Sequence, residues 1–273
     1  MTSPPGPQLF VQRYVDRRQF YSAVSVTAHF VASLAGEGLE DFESTTGTAF
    51  IVRSDKVAVF VTNRHVLDYN YKQANPVASA VLKSVTIRGF AQPQDSSQSP
   101  IPWTYSHPVA AGGIIIHPDQ STDLAVIRIF ESCFAPPLLS FVKALNVYAS
   151  DYLASATEIH GLWPGEEVFI VGYPGIAGAS ERPVLVTGVI ASDPRYPAVF
   201  GNAKNLKNAV LCQSFSWRGM SGAPVLGFSE SIGKTKIIGI NAGHVGGSGA
   251  GVGGVISHFV RSDALIQLLE QLS

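Results

Sequence analysis

Apolar residues recur at every second position in short runs along most of this chain, with polar turn residues between the runs. In residues 21–32, Ala23, Val24, Val26, Ala28 and Phe30 are interleaved with Ser25, Thr27 and His29, the period-two pattern of a half-buried strand. Residues 36–41 read as a turn. Strands are predicted at 46–52 and 57–62, and the second runs straight into Asn63-Arg64-His65-Val66-Leu67. Further strands are expected at 81–90, 103–105, 113–116 and 124–129, with a polar surface loop at 92–100. The less regular stretch 130–160, containing Pro136-Pro137, reads as a crossing between two halves. The second half predicts strands at 167–172, 184–192, 209–215, 224–228 and 236–240, then a Gly-rich segment 243–254 and a last strand at 255–259. At the end, Leu265, Leu268, Leu269 and Leu272 fall on one helical face behind a Ser262-Asp263 cap. The first twenty residues, Pro-rich and then charged, read as an arm or short helix outside the main fold. Many short strands in two groups predict an all-β protein, either two small barrels or a sandwich, closed by a C-terminal helix.

Composition narrows the function classes. Of 273 residues, 46% are hydrophobic and 14% charged, a globular balance with ample core material. A formal net charge of −1 gives no electrostatic reason to expect nucleic acid or an anionic membrane as partner. No apolar run of 18 residues or more occurs, so no transmembrane helix is predicted. The N-terminus lacks the basic and apolar regions of a secretory signal. Cys133 and Cys212 are the two cysteines. They form no disulfide framework and read as buried thiols in a reducing, cytoplasmic setting.

Candidate chemistry centres on Phe215-Ser216-Trp217-Arg218-Gly219-Met220-Ser221-Gly222-Ala223-Pro224-Val225. Glycines on both sides of a hydroxyl residue allow a sharp turn whose amide groups can face a ligand. A serine hydroxyl needs a base to accept its proton. Of seven histidines, His65 stands out because it follows an apolar strand where a turn begins. Asp123 immediately precedes Leu124-Ala125-Val126-Ile127, so it is expected to be partly buried and to require a partner such as His65. Asp119, after Pro118, reads as a turn residue, and Asp68 as a solvated helix residue. No cluster has metal-ligand spacing, and the chemistry requires no cofactor.

Thr62-Asn63-Arg64-His65, Asp123-Leu124-Ala125-Val126 and Gly219-Met220-Ser221-Gly222-Ala223-Pro224 occur in the order His, Asp, Ser. Together they resemble the three motifs of the chymotrypsin/trypsin-like serine peptidases. The likeness is greatest to the single-domain bacterial type, to which Gly47-Thr48-Ala49-Phe50, Val171-Gly172-Tyr173-Pro174 and Ile238-Gly239-Ile240-Asn241-Ala242-Gly243 are also similar. The resemblance extends over residues 20–272 and implies two perpendicular six-stranded antiparallel β-barrels with the site between them. It divides the chain into an arm (1–20), a first barrel carrying His65 and Asp123 (21–135), a crossing (136–160), a second barrel carrying Ser221 (161–260) and a terminal helix (261–273). It implies Ser221 as nucleophile, His65 as base, Asp123 as its orienting acid, and the N–H groups of Gly219 and Ser221 as oxyanion hole. Phe215, Ser216, Asn241 and His244 would border the specificity pocket, and Gly243 would pair with the backbone of a protein or peptide substrate.

This chain departs from the family's pattern in several places. Met220 stands where many members have an aspartate that pairs with a freed N-terminus, so that zymogen switch is not expected. Phe215 stands where a trypsin has its acidic residue, and Asn241 where glutamyl-specific relatives have histidine, so neither basic nor acidic specificity is implied. With no pro-segment expected, control by a regulatory protein partner is one possible restraint. The alternative function is a catalytically degenerate domain kept for protein binding. An α/β-hydrolase is excluded by the order of the motifs and by Ala223, which breaks Gly-x-Ser-x-Gly.

Overall fold

The structure is a computed structural model and describes residues 15–33, 38–71, 73, 75–92, 97–134, 145–175, 182–196, 198, 208–228, 234–244 and 256–272. The Pro-rich start, the tip of the 92–100 loop, Pro136-Pro137 and all of the Gly-rich segment beyond His244 lie outside the described residues.

Chain order begins with a short helix, α1 (Arg17–Phe20), and continues through β1 (Ala23–Ser33), β2 (Leu39–Arg53), β3 (Ala58–Thr62), α2 (Arg64–Leu67), β4 (Val81–Ala91), β5 (Ile101–Pro108), β6 (Ile114–Ile116) and β7 (Ala125–Arg128). After the two-residue β8 (Tyr148–Ala149) and α3 (Ala156–His160) come β9 (Glu167–Gly172), β10 (Val184–Ile190), β11 (Ala209–Ser214), β12 (Pro224–Phe228), β13 (Thr235–His244), β14 (Ile256–Arg261) and α4 (Ser262–Glu270).

The second half closes on itself. Strands β10-β11-β14-β13-β12-β9 form a six-stranded barrel, as the resemblance implies for that half. In the first half, where a second closed barrel of six is expected, no closure is seen among the described residues. Its strands form one eight-stranded sheet in the order β5-β4-β1-β2-β3-β7-β6, with β8 attached in parallel to β2 at Val52 and Arg53. Among the described residues no ladder joins β5 to β6. An isolated bridge from Tyr105 to Phe134 lies along that seam.

β2 is also longer than its apolar core suggests. Of Leu39 to Ser44 all but the partly buried Phe42 are exposed, yet the segment pairs backbone to backbone with β1 from Ser33 back to His29, around a bulge between His29 and Val31. Backbone pairing therefore carries a hairpin stem in which Phe42, edge-on to the Tyr69 ring at 5.1 Å, is the side chain packed on the core. The terminal helix begins where expected, but its N-cap is Arg261, with no side-chain cap bond. Arg261 instead pairs with Asp263 at 2.6 Å.

Three apolar cores result. Ala49, Ile51, Phe60, Ala125 and Ile127 point into the first sheet with Val24, Val26 and Tyr105. Their alternates Phe50, Val59, Val61, Leu124 and Val126 point the other way, against Val171, Tyr173, Leu226, Ile240, Leu265 and Leu268. This alternation explains why Gly47 to Val52 is buried on both faces. The third core fills the closed barrel and includes Ile170, Val210, Cys212, Met220 and Val225. The arm is more integrated than expected: Phe20 packs on the middle core, and Gln19 Nε2 donates to Tyr152 at 2.6 Å. Cys212 is buried, Cys133 partly so, and both are free thiols.

α3 is fixed to the barrel by one carboxylate. Glu158 accepts from Ser155 N–H at 2.8 Å and Ser155 O–H at 2.9 Å, completing a capping box, and pairs with Lys236 of β13 at 2.6 Å. Burial alone would raise the Glu158 pKa, but the Lys236 ammonium and Ser155 outweigh it and hold the carboxyl down at about 2 rather than 4.5. A depressed carboxylate contributes stability above its unfolded pKa and loses it as pH falls toward the folded value. The wild type should exceed Glu158→Gln by about 1–2 kcal/mol at pH 6, with the gap closing between pH 4.5 and about 2. Urea denaturation across that range checks this.

Candidate active site

Each half contributes one loop to a common point on β2. On the first, β3 ends at Thr62, and one residue later α2 turns His65 back toward the sheet. Asp123, 2% exposed, sits just before β7. Both of its carboxylate oxygens serve His65: Oδ1 accepts the backbone N–H at 3.0 Å, and Oδ2 lies 2.7 Å from Nδ1. A buried carboxylate with two such contacts fixes both the position and the ring orientation of the imidazole. With Nδ1–H donated to Asp123, Nε2 is the basic nitrogen, directed away from the carboxylate. Asn63 braces the same loop through Nδ2, which donates to the Asp123 carbonyl at 2.8 Å.

Asp119 and Asp68 are engaged as structural residues. Asp119 Oδ1 accepts from Ser121 N–H and O–H at 2.9 and 2.7 Å. Asp68 takes the Arg64 guanidinium at 3.0 and 2.9 Å. That guanidinium lies 4.4 Å from the Tyr71 ring centre. Burial pushes the Tyr71 phenol up to about 12, aided by the nearby negative charge of Asp123.

On the second loop, the segment between β11 and β12 turns twice through left-handed backbone, with φ 94° at Gly219 and 91° at Gly222. Side chains are excluded at both positions. A Cβ on Gly219 would lie 2.4 Å from the Tyr173 carbonyl, and one on Gly222 would lie 1.9 Å from that of Thr48. Ser221 is partly exposed between them. The loops meet at Gly47, where a Cβ would touch Val66 of α2 at 2.8 Å and the Ser221 carbonyl at 3.0 Å. Among the described residues, no hydrogen bond joins Ser221 Oγ to His65.

The carbonyls of Arg218, Gly219, Met220 and Ser221 are all held. Arg218 O accepts from Gly175 N–H at 2.6 Å, and Gly219 O from Thr48 Oγ1 at 2.7 Å. Met220 O accepts from Asn241 Nδ2 at 2.9 Å and Ala223 N–H at 3.1 Å, and Ser221 O from Thr48 N–H at 2.7 Å. In a trans peptide the N–H points opposite to its C=O. The Gly219 and Ser221 N–H groups therefore face away from the atoms that grip Arg218 O and Met220 O. Neither has an acceptor among the described residues.

The residues expected around a specificity pocket are less uniform. Ser216 and Asn241 are buried and bonded to each other at 3.2 Å. Phe215 is 46% exposed, with its ring tilted against Trp217 at 5.2 Å. β11 ends at Ser214, one residue before it. Gly243 and His244 close the β13 ladder, Gly243 with φ 120°, and His244 is exposed. Met220 is fully buried in the barrel core. Thr48, Asn63 and Gly175 carry no individual signal in the sequence. Gly47-Thr48-Ala49-Phe50 was a recognisable motif, but nothing in it reveals which carbonyl the threonine hydroxyl reaches. No group of three or more potential metal ligands occurs among the described residues, and no helix among them is long and apolar enough to cross a membrane.

A closed β-barrel packed on a second β-sheet, with a histidine loop and a serine turn meeting between them, defines the class as a chymotrypsin-like protease fold. The sequence model of the trypsin-like peptidase domain matches residues 47–232, and the chain belongs to that family. The apo protease domain of MamO from Magnetospirillum magneticum superposes with a TM-score of 0.52 at 13% identity, covering 92% of this chain and 97% of that one. The HtrA-type protease AlgW, solved with a decapeptide, gives 0.54 at 15% identity, covering 93% of this chain and 65% of that one. At such identities the likeness is one of fold. No curated protein sequence matches the chain.

Proposed function

We propose that the protein is a serine endopeptidase, in which Ser221 attacks the scissile carbonyl, His65 Nε2 takes its proton and returns it to the leaving amine, and Asp123 stabilises the imidazolium. An acyl-enzyme forms on Ser221 Oγ and is hydrolysed by water through the same proton transfers. The N–H groups of Gly219 and Ser221 bind the developing oxyanion, each donor worth roughly 3–4 kcal/mol in the transition state. The observation that carries this reading is the buried Asp123 carboxylate committed through both oxygens to His65. A serine–histidine contact that is open in the free enzyme is compatible with it, because such bonds tighten when substrate binds.

A protein or peptide is the substrate class, supported by the peptide-bound AlgW structure. The end of β13 at Gly243 would offer the substrate an added-strand partner. The division into barrels over 21–135 and 161–260, a closed first barrel, a cytoplasmic setting for the two free thiols and a regulatory protein partner belong to the same proposal.

Labelling with a fluorophosphonate tests it. The wild type should be labelled, Ser221→Ala not at all, and His65→Ala at least about 100-fold more slowly. Equal labelling of wild type and Ser221→Ala would eliminate Ser221 as nucleophile. A folded but unlabelled wild type that still binds peptides would favour the degenerate binding module.

A further inference from the structure

Thr48 occupies an unusual place in this molecule. It belongs to β2 of the first half, paired with Ser25, and is 0% exposed. All of its polar groups are nevertheless engaged away from the β1 ladder. Its N–H donates to Ser221 O at 2.7 Å, and its hydroxyl donates to Gly219 O at 2.7 Å. The same hydroxyl accepts from Tyr173 N–H at 2.9 Å, and its carbonyl accepts from Thr62 Oγ1 at 2.8 Å. One residue thus holds the carbonyls on either side of Met220.

These two bonds fix the planes of the 219–220 and 221–222 peptides. The two N–H groups proposed as oxyanion donors belong to the alternate peptides, 218–219 and 220–221. Rotating either of those would require a compensating turn in a peptide that Thr48 holds. The Tyr173 link extends the effect. Tyr173 leads into Pro174 and Gly175, and Gly175 N–H grips Arg218 O at 2.6 Å. The hydroxyl of Thr48 therefore joins the inner side of the turn to the strand end that restrains its outer side. A Cβ on Gly172 would reach Thr48 Oγ1 at 3.0 Å, so the neighbouring backbone closes around the hydroxyl.

We infer that Thr48 is a positioning residue whose hydroxyl presets the nucleophile turn, holding the oxyanion donors in place before substrate arrives; the role in catalysis rests on the peptidase reading, the role in the turn does not. Thr48 touches no reacting atom. Its effect passes through Gly219 and Ser221.

The test compares Thr48→Val, Thr48→Ser and Thr62→Val. Thr48→Val keeps the shape and the backbone bond to Ser221 but removes both hydroxyl bonds. Thr48→Ser keeps them. Thr62→Val removes one buried hydroxyl bond nearby without touching the 219–220 peptide. With an alkyl fluorophosphonate, the maximal inactivation rate of Thr48→Val should fall roughly 10- to 100-fold with unchanged half-saturation. Thr48→Ser and Thr62→Val should stay within about 3-fold of wild type, although Thr62→Val loses comparable thermal stability. Hydrogen exchange at the Met220 and Gly175 amides, neither of which bonds to Thr48, should be at least about 10-fold faster in Thr48→Val alone.

A Thr48→Val rate within 3-fold of wild type, or an equal loss in Thr62→Val, would reduce Thr48 to an ordinary buried threonine. If the wild type itself does not react, exchange decides. Faster exchange in Thr48→Val alone keeps the positioning role while the peptidase reading fails, and unchanged exchange removes the positioning role. Should Thr48→Val not fold, Thr48→Ala, which adds no bulk, carries the same comparison.

Discussion

Asp123→Asn is expected to lower kcat by about 10⁴-fold while leaving the fold intact. The carboxylate accepts two hydrogen bonds from His65, one from the ring at 2.7 Å and one from the backbone at 3.0 Å. A carboxamide offers one acceptor and one donor. If its oxygen stays on the backbone N–H, its NH₂ faces Nδ1, and the ring proton must move to Nε2. The imidazole then presents a donor to Ser221 and cannot take its proton. The imidazolium formed in the reaction also loses its buried counter-charge. Steady-state cleavage of a peptide library, with melting temperature as a control, measures this. More than about a tenth of wild-type activity would remove Asp123 from the role assigned to it.

Gly222→Ala should be the most destabilising small substitution in the turn. The methyl group would lie 1.9 Å from the Thr48 carbonyl and 2.4 Å from Thr62 Oγ1. Both atoms belong to the sheet across which the turn is bonded, so neither can retreat cheaply. Left-handed backbone adds its own cost, about 1 kcal/mol for alanine. Gly165→Ala isolates that second component, because Gly165 has φ 94° with nothing within 4 Å of its would-be Cβ. Gly165→Ala should lose about 1 kcal/mol, and Gly222→Ala more than about 3, a fall in melting temperature of at least about 6–12 °C for a chain of this size. Calorimetry of the two variants gives the comparison directly. Similar losses in both would mean that the turn yields more readily than the packing around it indicates.

Sequence pattern located elements well where burial and backbone conformation agree. The limits of β9 and β12 coincide with their apolar runs, because both strands line the closed barrel and both end at turns. It failed where backbone pairing proceeds without burial. Glu40, Asp41, Glu43 and Ser44 look like loop residues, yet they extend β2 as the stem of a hairpin. How the edges β5 and β6 of the first sheet lie, joined by no ladder among the described residues, is equally illegible, since closure depends on which edges meet and not on any one strand's composition. At the site, His65, Asp123 and Ser221 could be singled out because their chemistry demands particular residue types beside particular turns. The residues that hold them could not. Thr48 reaches a carbonyl 171 positions away, and Asn241, expected at the pocket border, also donates through Nδ2 to Met220 O and Ser216 Oγ. Hydrogen bonds to backbone carbonyls leave no mark in residue type, because every residue has one.

The middle core bears on how such a protein could be switched. Phe50, Val61 and Leu124 from one half interlock with Tyr173, Leu226 and Leu268 from the other, and each buried side chain contributes roughly 1.5–3 kcal/mol. Hinging the halves apart would strip many such contacts at once, a cost comparable to the whole stability of a domain. The halves therefore behave as a single rigid frame. A ligand with ordinary binding energy could more readily shift the peptide planes of the turn and the short segments bonded to it, where a few hydrogen bonds are at stake, than part the halves.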